Sequence, residues 1–471
     1  MTDELWSWTA SELAMAIRSG RISSVAATTS ALARMEAVNP AINAVVDPLP
    51  DDALEAAHAA DKALSQGVQP GPLHGVPVTV KINVDYAGRA TTNGVRAYAN
   101  LIAPEDGSVV RNLRGAGAVM IGRTNTPCYS MRWFTENALH GATLNPHDPA
   151  ITPGGSSGGA GAATAAGIGA IGHGNDIGGS VRYPAYCCGL FGLRPTSGLL
   201  PAYNPSQMAE RMIASQMMAV QGPLARSVQD IRLAMAALSA PDPRDIWQVP
   251  MPPSDASFRP CRVALMATPP DCDSDPEVIA AIHEAAAILT TAGYSVEEVP
   301  TPSIEEAADL WRLIMVNEMR VGLGRLIAEN GDPEIQYAYA AIEQGVPDLD
   351  RDGFLKALAQ RSRLLRDWQL LFASHPLVLT AVAWKKPYPV GHDQTNAAQF
   401  DSYYREVGPT TMAPILGLPG ISVPVRSGPG LPLGVQLLSA RFGENALLAA
   451  AEVIERANGP LLPVTPGRAV G

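Results

Sequence analysis

The stretch Pro153-Gly154-Gly155-Ser156-Ser157-Gly158-Gly159, with the later run Gly174-Asn175-Asp176-Ile177-Gly178-Gly179-Ser180-Val181-Arg182, is the most informative part of the chain. Each segment sets a serine among glycines. Glycine on either side lets the backbone take positive φ and leaves adjacent N–H groups uncovered, which an exposed nucleophile with an oxyanion hole requires. A flexible linker would also be rich in Gly and Ser, but it would not embed DIGGSVR between apolar segments. Residues 153–175 carry no Asp, Glu, Lys or Arg. They are small rather than large and apolar, so a buried glycine-rich element fits better than a membrane span.

The same region contains Gly167-Ile168-Gly169-Ala170-Ile171-Gly172, a GxGxxG pattern. Dinucleotide fingerprints follow a strand and open a helix, whereas here an Ala-rich, helix-prone stretch precedes the glycines. No Gly-Lys-Ser/Thr ending marks a phosphate loop either.

Serine does not attack an amide unaided, so a base is needed. His173 is close in sequence but has no orienting carboxylate at a recognisable spacing, which favours a structural role. Lysine is the alternative, because burial disfavours the ammonium and frees an amine. Lys81 lies in a run, 76–85, that alternates Val76, Val78, Val80, Ile82 and Val84 with Pro77, Thr79, Lys81, Asn83 and Asp85. That alternation predicts a half-buried strand carrying the lysine.

The 471 residues fit one large α/β unit, and 46% hydrophobic against 17% charged residues support a sizeable core and exclude disorder. A net charge of -11 without any Lys/Arg-rich run argues against nucleic acid as a partner. The five cysteines show no CxxC spacing and the eight histidines no HExxH cluster, so free thiols, no metal and no cofactor are expected. The start MTDELWSW lacks the basic residues and apolar run of a signal peptide, which leaves cytoplasmic residence, with no membrane partner, as the expectation.

Thr9 to Glu12 reads as a capping box opening a helix, and residues 22–37 as a second helix stopped by Asn39-Pro40. A helix about 107–115, a strand at 119–121 and a β-α-β unit over 262–299, its helix opened by Asp275-Pro276, predict alternating α/β architecture. Residues 303–375 turn helical, with Trp311 and Trp368 in apolar stripes that read as packing, over a region expected near the active-site entrance. Strands return at 377–382 and 421–425, and a helix at 444–457 closes the chain. No linker divides residues 1–471, so a single domain is expected.

At this point the chain resembles the amidase signature family over nearly its full length. The family block GGSSGG, then G(T/N)DxGGSxRxPAxxCGxxGxKPT, stands here as GGSSGG and GNDIGGSVRYPAYCCGLFGLRPT, ending at Arg194-Pro195-Thr196; HGVPVTVK ends at Lys81. The resemblance implies an α/β amidase signature fold, a large mixed β-sheet flanked on both faces by α-helices. It implies Ser180 as nucleophile, Ser156 as a bridging serine in a cis peptide with Gly155, and Lys81 as base. Backbone N–H groups of Ile177, Gly178, Gly179 and Ser180 would form the oxyanion hole, with Ser157, Asp176 and Arg182 in support. Many relatives are homodimers, which carries over as an expectation. Two departures are visible: Lys81-Ile82 where the family commonly has Lys-Asp, removing a polar contact beside the base, and Asn175 where Thr is common.

Met131, Trp133 and Phe134 align with a loop that lines the acyl pocket in relatives. The A component of the glutamyl-tRNA amidotransferase has small residues where this chain has Trp133 and Phe134, so the bulky pair implies an apolar or aromatic acyl group. Trp384 is either a further wall or core. Three functions stay open: a hydrolase of small-molecule amides, extending to esters or carbamates; a glutaminase component of a tRNA-dependent amidotransferase; and a non-enzymatic Gly-Ser scaffold. Glutaminase activity with a stable partner marks the second, and fluorophosphonate labelling of Ser180 contradicts the third.

Overall fold

In the computed structural model, which describes residues 4–467 except 208, 251–258, 270–271 and 427–429, the run at 76–85 forms a shorter strand, Pro77–Lys81. Of the early acids at the start of the chain, Asp3 lies outside the described residues. The half-buried strand expected here is corrected: Thr79 and Lys81 are as fully buried as Val78 and Val80. The polar face is covered by the helix Gly158–Ala165, whose glycines admit close backbone approach. A Cβ on Gly159 would lie 2.5 Å from the Asn125 nitrogen.

The strands in chain order are β1 (Val45–Pro48), β2 (Pro77–Lys81), β3 (Val119–Thr124), β4 (Glu136–Asn137), β5 (Gly141–Ala142), β6 (Ile171–Asp176), β7 (Phe191–Arg194), β8 (Val220–Ala225), β9 (Arg262–Leu265), β10 (Ser295–Glu298), β11 (Leu377–Ala381), β12 (Gly420–Arg426) and β13 (Leu433–Ser439). β4 and β5 form a small ribbon, and the rest make one 11-stranded sheet, ordered β1-β3-β2-β6-β8-β7-β12-β13-β11-β9-β10. β2 runs parallel to β3 and β6, and β9 to β10 and β11; the remaining pairs are antiparallel. Every residue of β3, β8 and β13 is buried, which requires cover on both faces. The fold is α/β, a large mixed sheet flanked by helices.

Two helix boundaries differ from the sequence reading. The second helix spans Ser24–Ile42 and contains Pro40 instead of stopping before it. A proline in the last turn costs little further pairing, and the helix ends where Asn43 takes φ 48° and the Asn39 side chain accepts the N–H of Ala44 and Val45. The helix Pro276–Thr291 has proline in its first turn as expected, but the Asp275 carboxylate does not cap it; it accepts the Lys386 N–H at 2.8 Å. The Thr9–Glu12 capping box is present.

The region 303–375 forms four helices, Ile304–Val321, Leu323–Asn330, Pro333–Glu343 and Arg351–Ser374. Among the described residues no helix is long and apolar enough to cross a membrane. What matters for chemistry is the pairing of β2 with β6. Adjacent and parallel, with Val78 opposite Ile171, they bring Lys81 and Asp176 to neighbouring carboxyl ends, where loops of open α/β sheets place their functional groups.

Candidate active site

The segment before the helix Gly158–Ala165 turns on Gly154, at φ +77°, and on a cis peptide between Gly155 and Ser156. Only glycine fits at 155, since a Cβ there would lie 2.6 Å from the Arg132 carbonyl oxygen. The turn aims both serines inward, and Ser156 and Ser157 are 1% and 0% exposed.

Lys81 meets them from the end of β2. Its Nζ lies 2.7 Å from Ser156 Oγ, 3.1 Å from Ser157 Oγ and 2.8 Å from Asn175 Oδ1. Burial of the whole side chain drives its pKa well below the ordinary 10.5, a shift that the charge of Asp176 opposes without cancelling. The buried amine therefore favours its uncharged form. The polar contact expected to be missing beside Ile82 is supplied from another strand, by Asn175.

Asp176 ends β6, and its carboxylate organises the turn that follows. It accepts the Gly179 N–H at 2.8 Å and the Val181 N–H at 3.3 Å, and takes two bonds from Arg182 at 3.0 Å. Arg194 Nη1 stands 3.6 Å away and donates to the Asp176 carbonyl at 2.6 Å. Burial alone would raise the Asp176 pKa, but Arg182 and Arg194 outweigh it and hold the carboxyl below its ordinary range. Arg182 was expected in support; the second arginine was not. Because both arginines are fully buried, Asp176→Asn is expected to leave unmatched charge and destabilise the fold by roughly 3–5 kcal/mol. Thermal unfolding checks this, and an unchanged midpoint would contradict it.

The same bond requires a correction. Gly179 N–H, expected among the oxyanion donors, is occupied by Asp176, because φ +100° at Gly179 turns that peptide toward the carboxylate. Among the described residues, the N–H groups of Ile177, Gly178 and Ser180 make no protein hydrogen bond. Their neighbours fix where they point. The Ile177 carbonyl accepts Trp311 Nε1–H at 2.7 Å, and the Gly178 carbonyl accepts Trp133 Nε1–H at 2.7 Å and the Thr410 hydroxyl at 3.2 Å. In a trans peptide the carbonyl and the next N–H point oppositely, so Trp311 turns the Gly178 N–H away from itself. The Gly179 carbonyl accepts Tyr183 N–H at 2.7 Å, which does the same for Ser180.

Ser180 is 6% exposed, and its Oγ makes no hydrogen bond with the described residues. Ser157 N–H donates to the Ser180 carbonyl at 3.3 Å, tying the two Gly-Ser segments together. Both serines and Lys81 thus lie at one place, with a bond drawn from Lys81 to Ser156 and none from Ser156 to Ser180 Oγ.

Other predicted residues sort as follows. Trp133, 8% exposed, packs with Trp311 at 6.2 Å and Tyr403 at 5.6 Å between ring centroids, so its ring backs the turn at 177–180. Phe134 is buried against Tyr403, and Met131 is half-buried. Met131 and Trp133 line a cavity of about 20 Å³ that excludes Phe134 and Ser180, room for a water and not for an acyl group. Trp384 is fully buried core. His173 is buried, its pKa pushed down to about 3 by desolvation, with Nδ1 accepting the Lys81 N–H at 3.4 Å and Nε2 on Gln221 at 2.9 Å. Burial pushes the Cys187 and Cys188 thiols up, which fits packing. No cluster of His, Cys, Asp or Glu able to hold a metal occurs among the described residues.

The amidase family's sequence profile matches residues 26–448. The indoleacetamide hydrolase of Bradyrhizobium diazoefficiens is 47% identical over 460 residues, covering 97% of this chain and 88% of that one. The A component of the glutamyl-tRNA(Gln) amidotransferase of Moorella thermoacetica is 33% identical over 482 residues, covering 96% and 97%. A solved bacterial aryl acylamidase of the amidase signature family superposes with a TM-score of 0.83 at 26% identity, covering 96% of each chain. The chain belongs to the amidase signature family. It is an amide hydrolase, acting on the C–N bond of small-molecule amides.

Proposed function

We propose that the chain hydrolyses primary amides of arylacetic acids, indole-3-acetamide foremost, through an acyl-enzyme on Ser180. One observation carries the mechanism: a buried amine, Lys81 Nζ, 2.7 Å from Ser156 Oγ beside a serine whose own hydroxyl is uncommitted. Ser180 Oγ attacks the amide carbon, its proton passes to Ser156, and the Ser156 proton passes to Lys81. The oxygen that gains charge meets the N–H groups of Ile177, Gly178 and Ser180. Collapse breaks the C–N bond, and Ser156 protonates the leaving ammonia as Lys81 returns its proton. Water attacks the ester by the same route and frees the acid and Ser180.

In this reading residues 1–471 act as one catalytic unit, with the helices over 304–374 beside the entrance. The support is the bond from Trp311 to the nucleophile turn. The aryl preference draws on the similarity to an indoleacetamide hydrolase and on the rings of Trp133 and Trp311 against that turn. Purified protein is expected to convert indole-3-acetamide to indole-3-acetate and ammonia with kcat/KM at least about tenfold above acetamide, since an apolar ring adds roughly 1–3 kcal/mol of binding. Chromatography of the acid gives the rate. Equal rates on the two amides would remove the aryl assignment.

The 33% identity to an amidotransferase component favours a second reading, glutamine hydrolysis. Ammonia released from glutamine faster than from indole-3-acetamide would favour it.

A further inference from the structure

Lys81 Nζ has three polar neighbours, and an uncharged amine has only two N–H bonds and one lone pair. Which neighbour faces the lone pair decides whether the lysine can take a proton from Ser156. The surrounding bonds settle the direction of each contact.

Asn175 Nδ2 donates to Asn83 Oδ1 at 2.9 Å, so Asn175 presents Oδ1, an acceptor only, to Lys81. Asn83 in turn donates through Nδ2 to Ser130 Oγ at 3.0 Å, and Ser130 donates to Asn93 Oδ1 at 2.6 Å. The polarity runs one way along this chain; reversing Asn175 would set its amide N–H against the Lys81 N–H and two carbonyl oxygens against each other. The Asn83 main chain is held by Asn204 Nδ2, which donates to its backbone carbonyl at 3.0 Å. Ser157 closes the account. Its hydroxyl proton goes to the Asn175 carbonyl at 3.4 Å, and its oxygen takes the Asn175 N–H at 3.3 Å, which leaves Ser157 Oγ an acceptor toward Lys81.

We infer that Asn175, oriented by Asn83, is a positioning residue that occupies one N–H of the Lys81 amine while Ser157 occupies the other, so that the lone pair is left facing the Ser156 hydroxyl. The inference rests on the proposed role of Lys81 as base and deepens it. Asn175 stands where threonine is common in the family, and a threonine hydroxyl can turn either to donate or to accept. A primary amide locked to Asn83 offers Lys81 an acceptor at all times. Neither asparagine touches the serine nucleophile, so their effect is on the direction and basicity of the amine.

The test uses full-length protein and a fluorescent fluorophosphonate, whose fluoride is displaced as Ser180 Oγ bonds to phosphorus and gives up its proton. Labelling rates are followed from pH 6 to 10 in wild type, Lys81→Ala, Asn175→Asp, Asn175→Leu and Asn83→Leu, with melting curves to verify folding. A carboxylate at position 175 favours the ammonium, so Asn175→Asp is expected to move the rising limb about one pH unit or more to the alkaline side, with the high-pH plateau near wild type. Asn175→Leu lowers the plateau about tenfold, and Asn83→Leu, which leaves Asn175 free to turn, lowers it in the same direction by less. A rising limb in Asn175→Asp superimposable on wild type, or an Asn83→Leu variant labelled at the wild-type rate, overturns the inference alone. Unlabelled wild type, or full labelling of Lys81→Ala, overturns the mechanism and the inference with it.

Discussion

Replacing Ser180 by alanine is expected to remove turnover, by roughly 10⁴–10⁶-fold, while leaving the melting temperature of the protein unchanged. The two halves of the expectation have separate causes. Activity falls because Ser180 Oγ is the hydroxyl that takes the acyl group in the proposed route, while Ser156 and Ser157 are committed to Lys81. Stability stays because the Ser180 hydroxyl makes no hydrogen bond with the described residues and keeps some exposure, so its removal orphans nothing. Amide hydrolysis within about tenfold of wild type in the alanine variant would overturn the nucleophile assignment. Ser156→Ala is not equivalent, since it strips Lys81 of its nearest contact.

Lys81→Met is expected to lower kcat by roughly 10²–10⁴-fold, the usual contribution of a positioned base. It should also change how stability depends on pH. Burial lowers the folded-state pKa of Lys81 below 10.5, so between the two values the unfolded chain binds more protons than the native one. Stability of the wild type therefore rises with pH through that window, by up to about 1.4 kcal/mol per unit, and the cost of burying the amine is greatest at the acid end. Methionine has no proton to lose. The stability of the wild type relative to the variant should thus improve steadily from pH 6 toward pH 10, read from denaturant midpoints at each pH. A difference that is flat, or that moves the other way, shows that Lys81 is charged in the folded protein. Wild-type activity should rise at the acid end of that window, where the folded amine loses its proton, and level off above it.

Much of this site is legible from sequence, and the reason is local. Glycine brackets around Ser156 and Ser180 report backbone requirements within a few residues, and the alternation around Lys81 reports a strand. Neither depends on distant partners. What escaped the sequence is what tertiary packing decides. The alternation gave a half-exposed strand because one polar position in two usually faces water, whereas here a helix of small residues covers that face as well. Trp311 looked like one more ring in a helical stripe; only the folded chain shows its N–H on the Ile177 carbonyl. Thr410, on a distant helix, offered no signal at all. Asn83 and Asn175 stood in plain view as a polar strand position and an unusual residue, but their meeting required β2 and β6 to be neighbours. The four-residue glycine turn suggested that all its N–H groups were available, and the carboxylate that claims one of them is its own neighbour, Asp176.

The pair of indoles behind the nucleophile turn has a consequence for any attempt to broaden what the enzyme accepts. Trimming Trp311 to open room for a bulkier acyl group also releases the Ile177 carbonyl, and with it the Gly178 N–H proposed to face the reacting oxygen, whereas trimming Trp133 leaves the Gly178 carbonyl on Thr410 and the Gly179 N–H on Asp176. Breadth and speed are therefore coupled at Trp311 above all, and variants selected for new substrates there will tend to be slow unless a replacement donor restores the tether.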